Sequence, residues 1–409
     1  MIERTNRLYY SNGDLSAWKA KVVGLEKTGE GDKVILDETI FYPEGGGQPC
    51  DLGAIEGYPL EEVWEEGNVV IHRLRGESGL RIGMTVNLQL DQARRRHHTQ
   101  QHSGQHLLSA ILERDYAIHT IGFHLGDAYS TIDLSCPSLG ADRQREIEDK
   151  AEALIVNDHP YLIHECDVET AATFPLRKKI PQGETSIRVA EISGYDWVAC
   201  CGTHVRSARD IRTLAILSTE RYKGNTRVYF LAGDRALAWL REESLVLGEL
   251  AASLGTSTRD TKTKVESLAA RSESQRIELF RLKRQRAESD IAMEILKNPC
   301  VVGKAVSFIF PDRDAEESAE TAKAGARAGL DAVCLSEPDA TVLISLAPEG
   351  WAGLRDEKAF FEGMKSQVIG FGGRGGGGKG NFRASFPSLA AAEDFFRQAI
   401  CGLSGSTEG

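Results

Sequence analysis

The chain has 409 residues, 41% of them hydrophobic and 27% charged, and a formal net charge of −11. This is the composition of a soluble globular protein with room for roughly two to four domains. It excludes a membrane-helix protein, because no apolar run nears the ~20 residues a span needs, and binding of polyanions through overall charge, so any nucleic-acid contact must come from local basic patches. The N-terminus Met1-Ile2-Glu3-Arg4-Thr5-Asn6 lacks the apolar core of a secretion signal. A cytoplasmic location is the default, and the eight cysteines read as reduced thiols, not a disulfide framework.

Residues 1–90 read as β-rich. Strands are expected over 17–25, 33–41, 68–74 and 85–90, separated by Gly and Asp as in a small barrel. Within them runs Phe41-Tyr42-Pro43-Glu44-Gly45-Gly46-Gly47-Gln48-Pro49. Three consecutive glycines cost conformational entropy. Taken alone they suggest a flexible hairpin tip; the alternative is a loop whose backbone must approach something closely.

Asp91 stands where a helix N-cap would, and Leu107, Leu108, Ile111 and Leu112 recur at helical spacing. On that helix His102 and His106 lie one turn apart, so both imidazoles point the same way. No Glu follows His102, which disfavours a zincin peptidase. Residues 91–233 alternate helix and strand as an α+β domain, with a second helix over 141–156 and strands near 161–166, 186–192, 213–219 and 227–231. After the apolar Trp197-Val198-Ala199, the segment Cys200-Cys201-Gly202-Thr203-His204 reads as a tight turn that folds Cys200 and His204 onto one centre. Either motif alone is equally a packed pair of residues. Together they make a three-histidine, one-cysteine donor set, which suits zinc. Arg94-Arg95-Arg96 and Arg177-Lys178-Lys179 are either solvated surface charge or phosphate contacts. His97, His98, His119 and His124 are read as packing or substrate contacts, since four ligands are already found.

Residues 234–298 form a helical section broken at Gly255-Thr256-Ser257-Thr258. Val265, Leu268, Leu279, Leu282, Met293 and Leu296 fit heptad core slots, but Ser272, Gln275, Arg286 and Ser289 interrupt the seam. A helical hairpin or a modest dimer contact follows. Residues 299–409 alternate strands (305–310, 332–336, 341–346) with helices (315–328, 357–365, 389–400). Between the last two helices, Gly372-Gly373-Arg374-Gly375-Gly376-Gly377-Gly378-Lys379-Gly380 reads as a loop able to cradle a phosphate backbone, though it lacks the order of a Walker loop.

Four features in this order, Gly45-Gly46-Gly47-Gln48-Pro49, His102-xxx-His106, Cys200-xxx-His204 and the late glycine loop, resemble the editing half of alanyl-tRNA synthetase and most of all the free-standing long-type AlaX editing proteins. Leu36 to Pro43 and Lys223-Gly224-Asn225-Thr226-Arg227 add to the likeness. The resemblance implies an α+β multidomain chain: an N-terminal β-barrel (1–90), a zinc editing domain (91–233), a helical linker or dimerisation segment (234–298) and a C-terminal α/β, DHHA1-like tRNA-binding domain (299–409). It implies a trans-editing deacylase that hydrolyses tRNA(Ala) mischarged with serine or glycine. The zinc positions would be His102, His106, Cys200 and His204. Thr39 and Gln48 would shape the aminoacyl pocket, with Gln105 in a slot that is commonly Thr in the synthetase. Cys201 replaces a glycine of the synthetase motif and leaves open which sulfur binds the metal. The barrel starts almost at Met1, so the expectation is editing without aminoacylation. No membrane partner is expected, and the helical segment and C-terminal domain leave room for a homodimer. The rivals are editing of another tRNA such as tRNA(Thr), or a non-catalytic tRNA-binding protein with structural zinc.

Overall fold

The computed structural model describes residues 4–29, 31–180, 183, 185–297, 305–348 and 357–404. The chain divides into two compact units, Met1–Glu249 and Leu250–Gly409.

The first unit opens with β1 (Asn6–Arg7) and the single turn α1 (Leu8–Ser11). Then come β2 (Ala17–Glu26), β3 (Lys33–Leu36), β4 (Glu38–Thr39), β5 (Gly53–Ile55), β6 (Tyr58–Glu66), β7 (Val69–Leu74) and β8 (Thr85–Leu90). Among the described residues, six of these strands pair in the closed order β2-β3-β7-β6-β5-β8. Alternation drives the closure. In β8, Val86 and Leu88 are buried while Thr85, Asn87 and Gln89 face water. Val22, Val34, Leu36, Val63, Val70 and Leu74 join them in the barrel core. The single strand expected over 33–41 is broken at Asp37, whose carboxylate accepts from the amides of Lys21 and Glu38 at 2.7 and 2.9 Å. β6 was not among the expected strands, because Pro59 and four glutamates mask its alternation.

α2 (Gln92–Tyr116) begins as expected, with the Asp91 side chain accepting from the Arg94 amide. Every residue from Gln100 to Leu112 is buried, so this helix is the axis of the unit. Gly104 permits it: a Cβ there would lie 2.5 Å from that of Ala232. The first turn is tied to the barrel. Arg94 Nε donates to Cys50 O at 3.0 Å, and buried Arg95 is paired with buried Asp51 and donates to Ile40 O. Of the triplet read as solvated or phosphate-binding, Arg95 is therefore neither; its charge is spent inside the protein.

Around α2 stand β9 (Thr120–Leu125), β10 (Ser130–Leu134), α3 (Ala141–Val156), β11 (Tyr161–Asp167), α4 (Val168–Ala171), β12 (Ser186–Ile192), β13 (Asp196–Ala199), β14 (Leu214–Tyr222) and β15 (Asn225–Ala232). They form a sheet of order β14-β15-β10-β9 and another of order β11-β12-β13. Leu107, Leu108 and Ile111 of α2 share one core with Ile132, Ile147, Val228 and Phe230. β9 and β10 are additions to the strands read from sequence. α5 (Gly233–Ser253) spans the boundary between the units.

The second unit contains α6 (Thr261–Lys297), β16 (Ala305–Phe310), α7 (Ala315–Arg327), β17 (Asp331–Ser336), β18 (Thr341–Ser345), α8 (Glu357–Gly370), β19 (Arg374–Gly378), β20 (Asn381–Ser385) and α9 (Leu389–Ser404). Its sheet runs β16-β17-β18-β20-β19, parallel only between β16 and β17. The glycine run corrects an expectation. It is not a cradle loop: Arg374 to Gly378 form an edge strand that pairs with β20 through a hairpin at Lys379-Gly380. Glycines without side chains leave no alternation, so the strand was invisible to pattern. On α6, Val265, Leu268, Leu279 and Leu282 are exposed. Among the described residues, no helix is long and apolar enough to cross a membrane. The whole is a mixed α+β chain with several sheets, as read from the sequence.

Candidate metal centre

His102 and His106 project from one face of α2, with ring centroids 4.9 Å apart. The turn after β13 delivers Cys200 and His204. The His204 ring lies 4.7 Å from that of His102 and 4.4 Å from that of His106. Cys200 Sγ stands 3.4 Å from His102 Nε2 and 3.3 Å from His204 Nε2. One donor atom from each of the four residues lies within 4.8 Å of the others, a set that could hold a metal ion. Cys200, not the exposed Cys201, contributes the sulfur of this set.

The rings are oriented by hydrogen bonds on their far nitrogens. His102 Nδ1 lies 2.8 Å from Gln48 Oε1. The same oxygen accepts from the Thr203 amide at 3.0 Å, while Gln48 Nε2 donates to Thr203 Oγ1 at 2.9 Å. The Thr203 amide can only donate, so the Gln48 oxygen faces His102 and His102 carries its proton on Nδ1. Its Nε2 lone pair then faces the cluster, with Cys200 Sγ at 3.4 Å. His204 Nδ1 lies 3.3 Å from Ser103 Oγ, which also accepts from the Val205 amide at 3.0 Å. The Tyr161 ring stacks on His204, and its hydroxyl donates to Ser103 O at 3.0 Å.

Gln48 reaches this position through its glycines. Gly45 and Gln48 exchange amide hydrogen bonds of 3.1 and 2.9 Å across Gly46 and Gly47, whose φ angles are +56° and +79°. That is a two-residue turn with both central residues left-handed, which favours glycine. A Cβ on Gly47 would also lie 2.7 Å from the Phe123 ring. The loop is thus a tight turn pressed on β9, not a flexible tip. Gly202 has a different reason: a Cβ there would fall 2.0 Å from His102 Cε1.

Burial keeps the cluster uncharged. It pushes His102 down to about 3, helped by the Arg188 charge, and holds His106 and His204 well below the usual imidazole value. It pushes the Cys200 thiol up to about 11. Neutral imidazoles are the ligating form, and a bound cation would displace the thiol proton.

A cavity of about 390 Å³ opens onto His102, His106 and Cys200. Gly46, Phe123, Ile187 and Val198 wall it, and Gln105, Lys178, Arg188 and Cys201 also reach it. Gln105 Nε2 donates to Ser109 Oγ at 2.7 Å, and Ser109 in turn bonds Thr120. Thr39 is not brought to this site. It is fully buried in the barrel, 2.8 Å from His72 Nε2, and accepts from the Phe41 amide at 3.1 Å. Gln48 is in the site but does not line the cavity; its amide is taken by His102 and Thr203. Of the second basic triplet, Arg177 is tied to Asp196 at 3.0 Å, while Lys178 faces the cavity. Of the remaining histidines, His98 is buried with Nδ1 unpartnered, and His119 bonds Glu113 at 2.7 Å.

Sequence reasoning missed Arg188 and Tyr10. Arg188 donates to Cys200 O at 3.0 Å and Gly202 O at 2.7 Å. Tyr10 OH donates to Cys201 O at 2.9 Å. One signal was available: Arg188 shares a strand face with Ala190 and Ile192, both buried, where an arginine has no place without partners.

Residues 10–94 match the family model of class II (A) tRNA synthetases, and residues 187–229 match the second additional domain of threonyl and alanyl tRNA synthetases. The chain is 35% identical to the alanyl-tRNA editing protein AlaX-L of Pyrococcus horikoshii, over 59% of this chain and 61% of that one. It is 36% identical to the alanyl-tRNA editing protein Aarsd1 of Mus musculus, over 53% of each. An alanine–tRNA ligase of Thermofilum pendens is 29% identical over 81% of this chain and 37% of its own. The chain thus spans between about half and 61% of the length of the two editing relatives. The likeness to alanyl-tRNA editing proteins read from the motifs is found again by direct comparison.

Proposed function

We propose that this chain is a zinc-dependent deacylase that hydrolyses tRNA(Ala) mischarged with serine, or with glycine, and that the tRNA is charged elsewhere. The observation that carries it is the coincidence of the four-donor cluster with a cavity of about 390 Å³, in a chain whose relatives are named alanyl-tRNA editing proteins. Cys200 stands from His102 and His204 at the spacing the ion needs, and His106 Nδ1 or Nε2 lies within 4.8 Å of the other donors. Zn–S and Zn–N bonds at a tetrahedral angle would separate sulfur from nitrogen by about 3.5 Å, and the two measured separations are 3.4 and 3.3 Å.

The substrate is an ester on the terminal ribose, an activated bond. A bound zinc supplies Lewis-acid polarisation or a fixed anchor for the ester. The chain's own side chains do the rest. Gln48 fixes the tautomer of His102, and Ser103 orients His204. Phe123, Ile187 and Val198 give the cavity apolar walls. Gln105, held through Ser109, presents its amide oxygen to the aminoacyl group; among the described residues nothing bonds to that oxygen. A cavity that hydrogen-bonds the seryl hydroxyl rejects alanine, whose methyl would leave polar groups unpaired. Lys178 offers a cation to a phosphate of the acceptor end.

In this reading residues 1–90 and 91–233 form the editing part. Residues 299–409 are the DHHA1-like module that holds tRNA, and the exposed apolar side chains in 234–298 are what a homodimer contact would bury. The test is a panel of Ser-tRNA(Ala), Gly-tRNA(Ala), Ala-tRNA(Ala) and Ser-tRNA(Thr). Fast release of serine or glycine from tRNA(Ala), with Ala-tRNA(Ala) spared, is expected. Preference for Ser-tRNA(Thr), or no hydrolysis at all, would overturn the proposal.

A further inference from the structure

The turn that carries Cys200 and His204 is held from outside the donor set. Three successive carbonyls, those of Cys200, Cys201 and Gly202, each accept a side-chain hydrogen bond. Arg188 Nη1 takes the first and third, and Tyr10 OH takes the middle one. The two clasping groups also hold each other, with the Arg188 guanidinium 4.6 Å above the Tyr10 ring. Behind Tyr10, the Tyr9 and Tyr42 rings continue the packing at 4.5 and 5.5 Å. The Cys200 amide completes the anchorage by donating to Arg188 O at 2.9 Å.

We propose that Tyr10 and Arg188 are positioning residues that clamp the Cys200–Gly202 backbone in the shape that brings Cys200 and His204 onto a common ion. A free turn of three residues between two ligands would have several arrangements, and the ion would have to select one. Pinning the carbonyls of Cys200, Cys201 and Gly202 lowers that cost before binding. The inference rests on the proposed metal centre but not on the proposed substrate. Arginine suits the task because the two Nη1 hydrogens, fixed in the guanidinium plane, reach both carbonyls while that plane lies over the Tyr10 ring; a lysine ammonium has three donors but no plane to fix their directions or to stack.

The experiment uses the full chain, stripped of metal and reloaded with Co²⁺, whose sulfur-to-metal charge-transfer band reports the Cys200 bond. Affinity is read by competition with a chromophoric chelator. Tyr10→Phe keeps the ring and loses one donor; it should weaken the metal about fivefold, the worth of one net hydrogen bond. Arg188→Lys should weaken it on the order of 10- to 100-fold and diminish the charge-transfer band. Wild-type affinity and an unaltered band in Tyr10→Phe and Arg188→Lys, whatever their thermal stability, would overturn the proposal. Should Arg188→Lys fail to fold, Tyr10→Phe decides alone. A wild-type protein that takes up no Co²⁺ would sink the metal centre itself. Metal uptake without deacylation would sink only the proposed reaction.

Discussion

His72 and His102 are both buried imidazoles with a polar side chain against the ring, yet they do opposite things. In the barrel, His72 Nδ1 donates to Val34 O at 3.1 Å and Nε2 accepts from Thr39 at 2.8 Å. Both nitrogens are satisfied by the protein, and the ring is closed to any newcomer. In the centre, Gln48 takes Nδ1 of His102, while Nε2 meets only Cys200 Sγ at 3.4 Å, with two more imidazoles close by. The difference is a count of lone pairs. Besides the weak S–H of Cys200, which can serve only one of the facing nitrogens, the second nitrogen of His102 meets other electron-pair donors, the arrangement that a cation would satisfy.

The largest effect that can break this contrast is removal of the sulfur. Cys200→Ala should cut deacylation by about 100-fold or more, beyond the usual loss for residues outside the ligand set, while His72→Gln should leave the rate per folded molecule unchanged. Initial rates on Ser-tRNA(Ala), with both proteins checked for folding, decide it.

Acid should act on the closed histidine through stability. Burial pushes His72 down to about 4, against a weaker opposing pull from Val34 O. The unfolded chain therefore binds more protons between pH 6.5 and 4, and stability is full above this window and lost as pH falls through it. The loss is on the order of 3 kcal/mol. Comparing thermal unfolding of wild type and His72→Gln across this range should show a shallower decline in the variant; parallel curves would mean the ring is not buried neutral.

Exchanging the two partner residues sharpens the comparison further. Gln48→Leu should weaken metal binding on the order of 10- to 100-fold. Thr39→Val should leave metal affinity and the ratio of seryl to alanyl hydrolysis unchanged, and cost about 1 kcal/mol of stability. Equal effects on metal affinity would erase the distinction between the two sites.

The smallest effect lies at the cavity mouth. Lys178→Gln should reduce the slope of log affinity for tRNA against log salt by about 1. An unaltered slope would remove Lys178 from phosphate contact.

Much of this was legible in the sequence because the informative side chains are close neighbours along the chain. His102 and His106 are one helical turn apart, and Cys200 and His204 flank one turn, so local spacing gave the donor set. The Asp91 cap and the helix over 141–156 were equally local. What failed depended on contacts distant in sequence. Gln48 and Thr203 are 155 residues apart, and Tyr10 and Cys201 are 191 apart. Thr39 and Gln48 were grouped because the resemblance grouped them, whereas the barrel turns one toward His72 and the other toward His102. Arg95 read as solvated charge or a phosphate contact because nothing near it in sequence announces Asp51. β19 was unreadable for another reason, since four glycines carry no pattern at all.

Deacylation of Ser-tRNA(Ala), followed before chelation, after complete stripping and after zinc is restored, tests the centre most directly. Activity should vanish with the metal and return with one equivalent of zinc per chain. Undiminished hydrolysis by protein shown to be metal-free would contradict the account.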